Sequence, residues 1–129
     1  MSSKQRKVSG RLPARRPARP RTLPLSGAKA DFCPRFHLAV ELIGRRWSGA
    51  ILRALIGGSL RFNEMLATIP GLSDRLLSER LREFEGASLV RRDVDPGPPV
   101  CVRYTLTQAG RGLEPVIAQL GTWAERWLK

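Results

Sequence analysis

Ser73, Asp74, Arg75, Ser78 and Arg82 share one side of a short stretch whose other side carries Leu77, Leu81 and Phe84 at i, i+4 and i+7. Short hydroxyls, carboxylates and forked guanidinium groups of this kind hydrogen-bond to base edges and phosphate oxygens. A helix divided in this way rests its apolar face on its own domain and offers the polar face outward. Any surface helix is amphipathic, so the pattern acquires meaning only from the elements around it.

A second chemistry belongs to Cys33, which precedes Pro34 and the start of a helical period. A thiol at a helix N-terminus feels the positive end of the dipole, which favours the nucleophilic thiolate, and Arg35 and His37 lie close in sequence. Cysteine is also often an inert buried residue, and both readings stand at this point. Cys33, His37 and Glu41 fall at i, i+4 and i+8, a stack of potential ligands on one helix face. Metal sites draw ligands from more than one element, and no His-rich or Cys-rich companion exists, so no metal is expected. Cys33 and Cys101 are the two cysteines, too few for a disulfide framework or a four-cysteine zinc site. With one histidine, no phosphate-cradling glycine motif and no nucleophile–base–orienter set, the chain does not read as an enzyme. No cofactor is called for.

The elements that would position these groups are legible from their periods. Pro34 suits a first helical position, Phe36, Ala39, Val40 and Ile43 follow at helical spacing, and Gly44 ends the run. A second helix starts near Trp47 or Ser48, buries Ile51, Leu52 and Leu55, and stops at Gly57-Gly58. Phe62, Met65, Leu66 and Ile69 stripe a third, short helix that Pro70-Gly71 breaks. Ser73 then stands as N-cap of a fourth helix over 73–86. Two short helices joined by a Pro-Gly break, the second rich in exposed polar groups, are the ingredients of a helix-turn-helix.

The period next falls to 2. Residues 89–94 read as a strand, and Val100, Val102, Tyr104 and Leu106 alternate with Cys101, Arg103 and Thr105 in another. Asp95-Pro96-Gly97-Pro98-Pro99 between them forms a loop. A hairpin directly after a helix-turn-helix is a wing, with Arg91, Arg92 and Arg103 as its charge. Thr107 can cap a last helix striped by Leu113, Val116, Ile117, Leu120, Trp123, Ala124 and Trp127. Two tryptophans near a chain end bury large areas. They point to a two-fold dimer made by the terminal and first helices, with Phe36 and Val40 on the partner side; the competing arrangement folds both rings onto their own core. The predicted fold is therefore mainly α with a small β-hairpin (α+β): a winged helix-turn-helix with a C-terminal dimerisation helix.

Charge and composition add a second region. The 129 residues carry a formal +12, yet residues 1–30 hold nine basic groups and no acids, leaving 14 basic against 11 acidic groups, a net +3, for the rest. Pro13, Pro17, Pro20 and Pro24 interrupt this stretch, and without an apolar period it cannot offset the entropy of ordering. It reads as a disordered basic arm over 1–30, preceding a domain over 31–129. The arm is either a solvated tail or a contributor of phosphate affinity without sequence choice. A transit peptide is disfavoured by the prolines, and a secretory signal lacks its apolar stretch. No apolar run approaches the roughly 18 to 20 residues of a membrane span. The expected setting is cytoplasmic, without membrane contact.

The residues resemble the HxlR family of bacterial winged-helix transcriptional regulators over roughly 33–127. The likeness rests on Cys33-Pro34, on Ile43-Gly44-Arg45-Arg46-Trp47 followed by Ile51-Leu52-Arg53-Ala54-Leu55, and on Leu60-Arg61-Phe62-Asn63-Glu64-Met65. It continues through Leu72-Ser73 with Leu77, Arg80-Leu81 and Glu83, through Tyr104-Thr105-Leu106-Thr107 with Gly110, and to Trp123. The resemblance implies a homodimer on double-stranded DNA at an inverted-repeat operator, with 73–86 as recognition helix. On that basis Ser73, Asp74, Arg75, Ser78 and Arg82 face the groove, Arg61 and Asn63 sit near phosphate, and Arg103 serves the wing. Arg80 has two readings, a phosphate contact or a surface ion pair with Glu83. Leu113, Ile117, Leu120, Trp123 and Trp127 join Phe36 and Val40 at the dimer interface. Some members sense oxidants or electrophiles through a cysteine near the first helix, the position of Cys33; a small-molecule effector is left open. Three departures stand out: Ser88 where a helix-ending glycine is usual, Cys101 where the wing often has a basic residue, and the long arm.

Overall fold

Pro34 lacks a backbone N–H and has its φ fixed near the helical value, so it opens a helix without cost. The computed structural model, which describes residues 30–129, starts α1 (Pro34–Gly44) at that residue. The basic arm proposed over 1–30 lies outside the described residues except for Ala30. Cys33–Lys129 form one unit. After α1 come α2 (Ser48–Ile56), β1 (Leu60–Arg61), α3 (Phe62–Thr68), α4 (Asp74–Gly86), β2 (Val90–Asp95), β3 (Cys101–Leu106), α5 (Gln108–Arg111) and α6 (Glu114–Trp127).

The core forms where the apolar stripes converge. Ile51, Leu52 and Leu55 of α2 meet Met65 of α3 and Leu77, Leu81 and Phe84 of α4, and Val90 and Leu106 close the cluster from the sheet. Each such side chain contributes about 1.5–3 kcal/mol by leaving water. Ser73 caps α4 as its spacing predicts, its Oγ accepting from Leu76 N–H at 3.1 Å.

Three elements differ from the sequence expectation. The wing is a three-stranded antiparallel sheet in the order β1-β3-β2 rather than a bare hairpin. Leu60 and Arg61 pair with Tyr104 and Arg103; two residues are too short to show a period, so β1 emerges only through pairing with a distant strand. The terminal helix is two helices. Thr107 caps α5, its Oγ1 accepting from Gly110 N–H at 3.1 Å, and α6 begins afresh at Glu114-Pro115. Gly110 and Gly112 weaken the first segment, and Pro115 belongs in a first turn rather than a helix interior. The expected alternation of β3 holds at Leu106, which is buried, and Arg103, which is exposed. It fades toward the loop, where Cys101 and Val102 are both half-buried and Val100 is exposed.

Candidate nucleic-acid interface

The polar face of α4 is where its pattern placed it. Ser73, Asp74, Arg75 and Arg82 are exposed, Ser78 is half-buried, and Leu77, Leu81 and Phe84 point into the core. Arg75 lies 3.6 Å from Glu79 one turn on, an exposed pair of little energetic weight. Arg82 has no ion-pair partner among the described residues. Ser73 Oγ spends one lone pair on the cap, which leaves its O–H free to donate toward a duplex.

Arg80 departs from this face. It is 7% exposed, and its Nε donates to the Arg46 carbonyl at 2.8 Å. Its Nη1 lies 3.2 Å from Glu83 Oε2 and 3.7 Å from Glu79 Oε1. Of its two readings, the ion pair with Glu83 is present, and it is buried within the domain rather than lying at the surface. Glu83 also faces Arg45 Nε at 3.3 Å. The roles of Arg45 and Arg46 had no sequence signal, because partners 34 residues apart share no helix face or strand register.

The sheet brings the two remaining basic candidates together. Register sets Arg61 opposite Arg103 and Arg103 opposite Asp93, so the three side chains share one face. Arg61 is tied to α3. Its backbone N–H donates to Glu64 Oε1 at 2.7 Å and its Nη2 to Oε2 at 3.3 Å, which caps the helix. These bonds hold the Glu64 carboxyl below its ordinary range, the backbone donor first and the guanidinium second. On the wing, Arg91 is taken by Asp93 at 2.8 Å, a bond that lowers the Asp93 carboxyl. Arg92 and Arg103 are exposed and without ion-pair partners among the described residues. Asn63 is exposed in the first turn of α3.

Cys33 is exposed and is itself the N-cap of α1, its Sγ accepting from Phe36 N–H at 3.4 Å. His37 Nε2 is 3.9 Å from Glu41, and among the described residues no three potential ligands gather into a metal site. The apolar residues of α1 and α6 are largely open. Phe36 is 70% exposed, Trp123 51% and Trp127 61%, with Val40 and Leu120 also exposed. The rings do not fold back onto the core. Leu113 and Ile117, also expected at the dimer interface, are half-buried and pack in part against the chain's own core.

A helix-turn-helix whose second helix turns its polar side outward, followed by a small antiparallel sheet, defines a winged-helix DNA-binding protein. The profile of the family described as HxlR-like helix-turn-helix matches residues 42–129. The chain belongs to this family. It is 43% identical over 100 residues to the uncharacterized HTH-type transcriptional regulator YvaP of Bacillus subtilis, covering 78% of this chain and 93% of that one. The HTH-type transcriptional regulator YodB of the same organism is 42% identical over 95 residues, covering 74% and 85%. Its reduced form superposes with a TM-score of 0.69 at 40% identity, over 77% of this chain and 97% of YodB. YodB is also known in diamide-treated and quinone-bound forms. The redox regulator HypR in its oxidized form gives a TM-score of 0.70 at 36% identity, over 75% and 99%. No helix among the described residues is long and apolar enough to cross a membrane.

Proposed function

We propose that the chain is a sequence-specific DNA-binding regulator of transcription, acting in the cytoplasm as a homodimer on an inverted-repeat operator. The observation that carries this reading is the division of α4, with its hydrophobic side packed in the core and Asp74, Arg75 and Arg82 exposed on the other. In the proposed complex these groups, with Ser73 and Ser78, meet base edges and flanking phosphates. Arg61, Asn63 and Arg103 meet backbone, and residues 1–30 add phosphate affinity without sequence choice. Phe36 and Val40 of α1 and Leu120, Trp123 and Trp127 of α6 form the two-fold contact.

Selection of bound duplexes from a random pool tests the reading. A regulator enriches one inverted repeat and prefers it over random duplex by about 10³ or more at physiological salt. A charge-driven interaction module, the alternative, enriches none.

We further propose that Cys33 makes the regulator responsive to oxidants or electrophiles. Its exposure and its place at a helix start support this, as does the redox chemistry named for YodB and HypR. Mass spectrometry after mild peroxide or quinone treatment, paired with operator titration, tests it. An adduct on Cys33 with altered affinity is expected; the absence of an adduct together with unchanged operator affinity overturns it.

A further inference from the structure

Among the described residues Arg80 is the buried charged side chain, and the proposed reading of α4 does not use it. Its surroundings are specific. The guanidinium spans from α4 to the backbone of the corner between α1 and α2, bonding the Arg46 carbonyl at 2.8 Å, while Glu83 holds it from below at 3.2 Å. The other oxygen of Glu83 faces Arg45, at 3.3 Å. The next corner residue, Trp47, has φ 74°, in the left-handed region, and lays its indole over Gly71 in the turn before α4. A Cβ at Gly71 would stand 3.3 Å from the Trp47 ring. Residues 45–47 thus grip both the turn and the middle of α4.

We propose that Arg80 is a positioning residue for DNA recognition: with Glu83 it bolts α4 to the α1–α2 corner and so fixes the angle at which α4 meets the groove. The proposal rests on the reading of α4 as the recognition helix. Only the short corner after Gly44 separates this bolt from α1, the helix that Cys33 caps. Only a forked group reaches the Arg46 carbonyl and Glu83 together, so lysine keeps the charge but loses the span.

The test compares Arg80→Lys, Arg80→Gln and Glu83→Gln with wild type on the selected operator and on random duplex across a salt series, well below each variant's melting temperature. Arg80→Lys is expected to weaken operator binding about tenfold, the worth of one misplaced base contact. Random-duplex affinity and the slope of log K against log salt stay unchanged. A phosphate contact would instead keep affinity in Arg80→Lys and lose about 1.8 of slope in Arg80→Gln, about 0.9 for each protomer. Glu83→Gln removes a negative charge, which by charge alone would tighten binding to every duplex. The bolt instead requires weaker operator binding with no loss on random duplex. General destabilisation lowers both affinities together and leaves their ratio intact. Should the Arg80 variants fail to fold, Glu83→Gln decides alone. An operator preference unchanged in the folded variants overturns the positioning role and spares the regulator reading. A wild-type chain without any preferred duplex overturns both.

Discussion

Ser88 holds φ at 61° just beyond α4, where Leu89 N–H returns to the Phe84 carbonyl at 2.8 Å and Ser88 N–H to Glu85 at 3.0 Å. That pair of hydrogen bonds is the Schellman ending, in which the left-handed residue is usually glycine because a Cβ there clashes with the backbone. The helix end that the sequence departure put in question is therefore intact but strained. Ser88→Gly keeps both bonds, and the Ser88 carbonyl that accepts from Thr107 Oγ1 at 2.6 Å is unaffected. It is expected to stabilise the domain by about 0.5–1 kcal/mol, visible as a rise in the chemical denaturation midpoint at constant slope. Glu64 and Asp93 make a second prediction at this scale. Both carboxyls lie below their unfolded values, so their contributions are complete above the unfolded carboxylate range. They are lost as pH falls through the depressed values. Melting temperature should decline on acidification, and the paired change Glu64→Gln with Asp93→Asn should flatten that decline.

At the scale of elements, the junction of α4, the wing and α5 is the most demanding site. Gly110 lies against the Leu89 carbonyl so closely that an added Cβ would collide with it, and Thr107 N–H bonds the same carbonyl at 3.0 Å. Gly110→Ala should cost about 1–3 kcal/mol, the price of overpacking, measured by chemical denaturation. Arg75→Ala belongs to a different class. Its exposed side chain contributes little to stability, and its loss should relax base discrimination at one operator position by about 1–3 kcal/mol. Except for α5, whose four residues Gln108–Arg111 carry no stripe, the helices were legible because each has one of its own: Phe62, Met65 and Leu66 announce α3, and Leu77, Leu81 and Phe84 announce α4. The groove-facing candidates followed from the same stripe, by its complement. What escaped was set by distance in sequence. β1 exists only through Tyr104 and Arg103, and the burial of Arg80 only through Arg46. An arginine beside a leucine on a helix gives no local sign that a corner 34 residues earlier will cover it.

At the scale of the whole molecule, the described residues are uneven in what they leave uncovered. Phe36 and Val40 of α1 and Leu120, Trp123 and Trp127 of α6 are exposed while α4 keeps its hydrophobic side within the core. The proposed dimer predicts that Trp123→Asp shifts the sedimentation coefficient to that of a monomer. Operator affinity should then fall far more than random-duplex affinity, because two half-sites are no longer read together. Removal of residues 1–30 makes the opposite division. All duplexes should weaken alike, with a shallower dependence on salt. The three tryptophans also divide between two environments. Trp47 is half-buried against the turn before α4, while Trp123 and Trp127 are open to water on α6. The protein therefore carries its own optical labels. Emission from α6 should move to shorter wavelength when copies associate, whereas quenching confined to Trp47 would report a disturbance of the corner. Single-tryptophan variants would let one cuvette follow assembly and helix orientation as separate signals.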